Sequence, residues 1–398
     1  MGIIKEIKIE GFKSILKEEI SFGQLNVFIG SNGSGKSNLL EAIAMISSSI
    51  EGGIDYDRLA RRGARLSSHE IFRSAFKNNL RKDIFKLEIT TDKINYKMNI
   101  NSVSGFKYNS ESLTSHSGEN LASRSNRGAK LSNKSLSSKI DNSKSILNLY
   151  QTLDNKEATF PTKLAEYAIY SLSTPILRGV SADNSNKAPL GLYGGRLAEA
   201  FNEVLNDKNK RKDLQRFFKL LDWYKSVSTT NSIKQELISE YVSFGRRIVS
   251  YHDSFMSLKF NELYAYDVSE GALYILFVLV LLIHDESPDI FALDNVDNAL
   301  NPGLVKNLMN NIIDIISKNE NKQIFLTTHN PTTLDAIDLF NEKHRLFVVE
   351  RAEDGQSKFK RIKPPEGMTK EEWIDKYYGM KLSEIWLSGA IGGLPKGF

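Results

Sequence analysis

Cysteine is absent from the 398 residues, so no disulfide framework, thiol nucleophile or cysteine-ligated zinc can exist. No apolar run is long enough for a membrane: Leu273–Ile283 is about half of the ~20 residues a bilayer requires. Met1–Glu10 alternates charge with isoleucine and lacks the apolar centre of a signal peptide. These features lead us to expect a cytoplasmic address and no membrane partner. Charge of one sign is scarce as well; a net +5 is too small to indicate a nucleic-acid binder by itself. Neither sustained heptads nor an internal repeat occurs, which argues against a long coiled coil or a solenoid. What remains is an ordinary globular composition, 40% hydrophobic and 25% charged. The chain exceeds one average domain of about 100–200 residues, so a large core domain with an appended or inserted part is expected.

The most informative stretch is Leu25–Ile43, where an apolar strand-like run empties into a glycine-rich turn that opens a helix. Its centre, Gly30-Ser31-Asn32-Gly33-Ser34-Gly35-Lys36-Ser37, satisfies G-x-x-x-x-G-K-[ST]. Glycines let backbone N–H groups converge on phosphate oxygens, and the new helix points its positive end at them. In such a loop the lysine, here Lys36, reaches the β/γ-phosphates and the serine, here Ser37, holds Mg²⁺. ATP or GTP binding is the implied chemistry.

Around this centre, Ile3–Glu10 reads as a half-buried strand, the β pattern resumes over Ile20–Ile29, and Ile84–Thr90 with Ile94–Ile100 reads as a hairpin. Arg58, Arg61, Arg62 and Arg65 read as a solvated helix face, with DNA phosphates or a partner as the alternative. Asn101–Lys144, rich in serine, asparagine and lysine, cannot bury enough apolar surface to order itself strongly. It reads as a surface insertion, disordered or ordered only against a partner. Helical periodicity returns at Lys163–Leu172 and Arg196–Leu205, and a basic helix runs from Lys208 through Phe217, Phe218, Leu221 and Trp223. These segments are expected to form a lid or arm. Ser269-Glu270-Gly271 precedes the all-apolar helix Leu273–Ile283, which should be buried. Two hydrophobic strands follow, Ile290–Asp294 and Ile324–His329, and ligands in open α/β sheets sit at such carboxyl ends. Arg345–Glu350 and Lys358–Ile362 read as closing strands, and Ser383–Pro395 as a glycine-rich tail.

These residues resemble the ABC-type soluble ATPases, in their SMC/RecF/OLD-like branch. Gly30–Ser37 has that branch's G-x-N-G-x-G-K-S form, and IKIEGFKS resembles its first strand and turn. Ser269-Glu270-Gly271 resembles its signature motif, Asp294 its Walker B aspartate, Asn298–Pro302 its D-loop and His329 its switch histidine. The resemblance implies an α/β fold, the ABC-ATPase head of the P-loop NTPases, with a mixed central sheet, an N-terminal antiparallel β part and an inserted helical lid. Expected divisions are 1–100 for the first half of the head, 101–150 for the insertion, 151–260 for the helical arm and 261–398 for the second half. Implied ligands are ATP, held by Asn32, Gly33, Ser34, Gly35, Lys36, Ser37 and Asn38 with Ser269 and Gly271 of a second copy, and Mg²⁺ on Ser37 and Asp294. Asp294, Asn295, Asp297 and His329 are the expected catalytic set.

One departure matters for rate. The family reads Asp-Glu at the end of the Walker B strand, whereas this chain reads Asp294-Asn295-Val296-Asp297, and an amide cannot accept a proton. Slow hydrolysis is expected, with Asp297 as a substitute acting through water. The insert is too short and polar for the SMC coiled coil, and the stretch after Glu350 is short for the nuclease domain of OLD proteins. By analogy, the chain resembles stand-alone ATPase subunits of two-gene prokaryotic defence systems. That implies a homodimer at minimum, with higher homo-oligomers open, a separately encoded effector such as a nuclease, and a phage component or DNA as further partners. A RecF-type ATPase clamping DNA directly is the alternative, and a transporter subunit a third.

Overall fold

Alternation decides the first layer: Ile4, Ile7, Ile9 and Phe12 are buried while the intervening Lys5, Glu6, Lys8 and Glu10 reach solvent. A computed structural model describes residues 3–77, 79–132, 134–136, 140–153, 162–218, 220–237, 247–295, 297 and 299–392. Its contacts divide the chain into two units, Met1–Ile169 with Pro288–Asn295 and Asn319–Phe398, and Tyr170–Ser287 with Val296–Lys318.

The first unit holds two sheets. Strands β1 (Ile4–Phe12), β2 (Ile15–Ser21), β4 (Ile84–Thr91), β5 (Ile94–Asn101), β6 (Lys107–Ser115), β7 (Asn120–Ser125), β8 (Gly128–Leu131) and β9 (Lys134–Leu136) form one antiparallel sheet in the order β2-β1-β4-β5-β6-β7-β8-β9. The other is mixed. Strands β3 (Leu25–Ile29), β10 (Ala168–Tyr170), β14 (Ile290–Leu293), β15 (Gln323–Thr328), β16 (His344–Arg351) and β17 (Ser357–Ile362) take the order β10-β14-β15-β3-β16-β17. Parallel pairing joins β14, β15, β3 and β16, and β17 closes antiparallel. Helix α1 (Lys36–Glu51) leaves the end of β3. One apolar cluster joins Ile9 and Leu87 of the antiparallel sheet, Leu39, Ile43 and Ile46 of α1, and Ala292, Phe325 and Phe347 of the mixed sheet. Each large aliphatic side chain buried there contributes about 1.5–3 kcal/mol.

The second unit contains helices Leu197–Asn206, Arg211–Phe218, Glu270–Ile283 and Pro302–Ser317, and a small antiparallel sheet of β11 (Tyr224–Thr230), β12 (Ile248–Asp253) and β13 (Glu262–Tyr264). Glu270–Ile283 is buried from Gly271 to Leu282, as its apolar surface requires. Among the described residues no helix is long and apolar enough to cross a membrane.

Several expectations are corrected. Asn101–Lys144 carries four strands that extend the antiparallel sheet, with residues 133 and 137–139 outside the described set. A strand with one wet face needs few apolar side chains, because its neighbour supplies the backbone hydrogen bonds. Tyr108, Leu113, Ala122 and Ala129 fill the dry face, and Glu111 with Arg124 completes it as a buried pair at 2.7 Å. In sequence, that pair looks like surface. Lys163–Leu172 is a single helical turn, Thr162–Ala165, followed by the three-residue β10, too short to show a period. The expected helical arm is part β, since β11 and β12 lie within it and pair into the small sheet, and the basic helix ends at Phe218. Trp223, expected on that helix, instead stands against Tyr251 at a ring separation of 5.8 Å. Arg62 is not solvated: its side chain is 3% exposed, paired with Glu51 at 2.6 Å and bonded to Ser47 Oγ at 2.7 Å. In the tail, Leu382–Leu387 is helical with Ile385 and Trp386 buried, while 393–395 lie outside the described residues.

Candidate functional site

The turn between β3 and α1 is shaped by its surroundings before any ligand is considered. A Cβ at Gly30 would stand 2.0 Å from the Val349 carbonyl oxygen, and one at Gly35 would stand 2.1 Å from Ser357 Oγ, with Gly35 at φ +110°. Only glycine fits either place. Gly33, at φ +75°, has nothing within 4 Å of its Cβ position, so there the requirement is conformational. Ser357 Oγ donates to the Ser34 carbonyl at 2.6 Å and lies 2.6 Å from Ser14 Oγ, which accepts from Asn38 Nδ2 at 2.6 Å. The loop is therefore gripped from β1–β2 on one side and β16–β17 on the other. Ser34 Oγ is buried with no hydrogen-bond partner among the described residues, an orphan that a phosphate oxygen would satisfy.

Lys36 is buried, and its Nζ donates to the carbonyls of Gly30 at 2.7 Å and Ser31 at 3.0 Å. Ser37 Oγ donates to Asp294 Oδ2 at 3.2 Å, across 257 positions of sequence. Parallel pairing brings them together: β14, β15 and β3 end side by side, so the residues following each strand share one edge. Thr327 Oγ1, near the end of β15, hydrogen-bonds Asp294 and accepts from the Asn295 N–H at 2.9 Å. Asn295 itself sits at φ +57°, a left-handed conformation that asparagine tolerates better than most residues. His329 follows β15 and is exposed. Asn32–Asn38, Arg65, Asn295, His329 and Arg351 line one cleft of about 340 Å³. A neighbouring cleft of about 390 Å³ shares Asn38, Arg65 and Arg351 and adds Ile71 and Phe76.

Arg65, which the sequence reads as a solvated face, and Arg351, which no motif contains, are the two side chains that sequence reasoning missed at this edge. A carboxylate fixes the first. Glu41, one turn along α1 from Ser37, accepts from Arg65 Nε at 2.6 Å and also pairs with Lys13, and Asn38 Oδ1 accepts from Arg65 Nη2 at 2.5 Å. Burial pushes the Glu41 carboxyl up, but the Arg65 hydrogen bond and the Lys13 charge outweigh it and hold it below its ordinary value. For Lys13 burial wins, and its pKa is lowered despite the Glu41 charge. Glutamate one turn after the loop serine was the available signal for Arg65. Arg351 left none.

The remaining expected residues lie in the second unit. Ser269 caps the helix Glu270–Ile283, its side chain accepting from the Ala272 N–H. A Cβ on Gly271 would approach the Ala299 carbonyl oxygen and Leu300 at 3.2 Å, so the signature-like turn packs on the D-loop-like segment. Asp297 is buried, and Asn301 caps Pro302–Ser317 through the Leu304 N–H at 3.0 Å. Asn298 lies outside the described residues.

The fold is similar to two solved SMC heads. An Smc head bound to the C-winged-helix domain of ScpA matches at 15% identity and TM-score 0.51, over 92% of this chain and 99% of that one. An Smc head with an extended coiled coil, bound to the C-terminal domain of ScpA and derived from Pyrococcus furiosus, matches at 14% identity and TM-score 0.51, over 94% and 100%. No curated protein matches. A family profile matches residues 25–335, most of the chain, which therefore belongs to the family described as "AAA domain, putative AbiEii toxin, Type IV TA system".

Proposed function

We propose that the protein is an ATP-dependent switch: it binds ATP with Mg²⁺, hydrolyses it slowly, pairs with a second copy of itself while ATP is bound, and through that state controls a separately encoded effector in phage defence. The observation that carries the nucleotide reading, on which the rest stands, is the convergence of Ser37 and Asp294 beside Lys36 on one strand edge; the effector and phage-defence part rests on the family analogy alone. A hydroxyl and a carboxylate at that spacing suit Mg²⁺, which takes one or two protein oxygens and completes its shell with phosphates and water. When bound, the ion would offset charge on the β/γ-phosphates. Lys36 exchanges loop carbonyls for phosphate oxygens, and Ser34 gains a partner. Thr327 keeps Asp294 oriented, and His329 faces the same cleft.

Rate follows from Asn295. Its amide orients water but takes no proton, and a missing general base costs about 10²–10⁴. Phosphoryl transfer rests mostly on positioning and charge, so slow turnover survives. Steady-state hydrolysis is expected below about 10 s⁻¹, a middling enzyme value, and Asn295→Glu should raise it at least about tenfold. An unchanged rate in that variant would mean that proton acceptance does not limit turnover.

Pairing follows from Ser269. The N-terminus of a buried fourteen-residue helix, with a serine cap, is a second anion site able to close on a neighbour's triphosphate. Only the triphosphate reaches both halves, and a ligand shifts an equilibrium through such differential contacts. Mass measurement should find a larger assembly with ATP than with ADP. Ser269→Arg should keep nucleotide binding and abolish the ATP-dependent mass increase; if it still pairs, the signature assignment is wrong. Of the four arginines whose alternative reading is contact with DNA phosphates, Arg62 pairs with Glu51 and Arg65 with Glu41.

A further inference from the structure

Three cations reach the phosphate-loop cleft, and they are held very differently. Lys36 is buried on two loop carbonyls. Arg65 has its guanidinium fork committed: Nε and Nη2 go to Glu41 at 2.6 and 3.1 Å, Nη2 also to Asn38, and its backbone N–H to Glu41 at 3.1 Å. Arg351 is exposed, makes no ion pair among the described residues, and has one long contact, Nη1 to the Gly33 carbonyl at 3.4 Å. A hydrogen bond of that length is weak, so exchanging it costs little.

Strand geometry puts Arg351 there. Because β16 runs parallel to β3, with Val348 opposite Ile29, it continues alongside the loop after β3 has ended. Val349 then abuts Gly30, and Arg351 arrives at Gly33, the loop residue whose Cβ direction is open. Arg351 also pairs with Ser357 across β16–β17, and Ser357 is itself bonded to the loop. The backbone under the guanidinium is thus fixed while its head is free to turn into the cleft shared with Asn295 and His329.

Resting on the nucleotide reading above, we propose that Arg351 is a terminal-phosphate residue acting within its own chain. Its planar fork binds the outer oxygens of a nucleoside triphosphate, distinguishes it from the diphosphate, and supplies transition-state charge where Asn295 supplies no base. A guanidinium matches phosphate oxygens in a bidentate manner that an ammonium does not. A loose phosphoryl-transfer transition state spreads charge over the atoms such a donor faces.

The test compares the wild-type chain, Arg351→Ala and Arg351→Lys by displacement of a fluorescent nucleotide with ATP and with ADP, alongside thermal unfolding without nucleotide. Arg351→Ala should weaken ATP about tenfold or more, as befits loss of a charge-assisted contact, and ADP less than about twofold on the same basis. Arg351→Lys should recover part of the ATP affinity. Equal losses for the two nucleotides would overturn the proposal, since Arg351 would then merely prop the Gly33 turn, and so would no loss at all. A wild-type chain that binds neither nucleotide is a different failure, that of the nucleotide reading itself.

Discussion

Lys36→Ala is expected to abolish measurable nucleotide binding. The ammonium is buried against the loop on the Gly30 and Ser31 carbonyls, bonds that it exchanges for phosphate oxygens, so its removal takes away the charged donor that the triphosphate meets. Hydrogen bonds to charged groups contribute roughly 1.5–3 kcal/mol each, and losing two of them corresponds to a fall in affinity of about 10²-fold or more. Isothermal titration with ATP reads this directly. Thermal unfolding without ligand should change little, because α1 is held along its length by the apolar cluster, whereas the stabilisation that ATP gives the wild-type chain should vanish. ATP affinity within about threefold of the wild type would refute the assignment of Lys36 as a phosphate ligand, since that corresponds to well under one charged hydrogen bond.

Glu111→Ala should cost stability on the order of 3–5 kcal/mol, the usual penalty for removing one partner of a buried ion pair. The Glu111 side chain is fully buried and its oxygens are all in use. Oε2 meets Arg124 at 2.7 Å and the Ile146 N–H at 3.0 Å, while Oε1 accepts from Tyr96 at 2.6 Å and Ser145 at 2.7 Å. Burial, and then the Glu111 charge, push the Tyr96 phenol well above its ordinary value, so it stays protonated as a donor. Truncation leaves the Arg124 guanidinium, 4% exposed and stacked 4.5 Å from the Tyr108 ring, without its counter-charge. Urea unfolding followed by circular dichroism measures the loss. Glu111→Gln should cost less, because it keeps the volume and an acceptor. A loss below about 1 kcal/mol for the alanine variant would mean that water reaches the pair, as it does in exposed ion pairs.

Both variants bear on what the sequence made legible. The phosphate loop could be read because its eight residues are contiguous and each type has a local reason to be there. Asp294 and His329 could be placed because each follows a short hydrophobic strand, and parallel strands deliver such ends to one edge. Arg65 and Arg351 could not. Glu41, one turn after Ser37, signals only that some cation comes to it; which arginine does so, and which strand lies beside the loop, are facts of three-dimensional pairing. The Asn101–Lys144 stretch misled for a related reason: half of its dry face is made of Glu111, Arg124 and a tyrosine hydroxyl, polar groups that satisfy one another only after the strands have paired. β11 failed differently, since Tyr224–Thr230 has no strongly apolar side and leans on its neighbour for order.

Helix α1 ends in three consecutive buried serines, a poor choice for a core unless each hydroxyl is answered. Each is: Ser47 by Arg62 at 2.7 Å, Ser48 by the Gly53 carbonyl at 2.7 Å, and Ser49 by the hydroxyls of Tyr96 and Tyr108 at 2.5 and 2.7 Å. The Ser48 bond closes the helix's own last turn, whereas sliding the helix by even part of its ~5.4 Å pitch would break the ties of Ser47 and Ser49 to other elements at once. Lys36 and Ser37 are thus bolted down from the far end of their own helix, and the error allowed in where they stand is that of a hydrogen bond rather than of a loosely packed side chain.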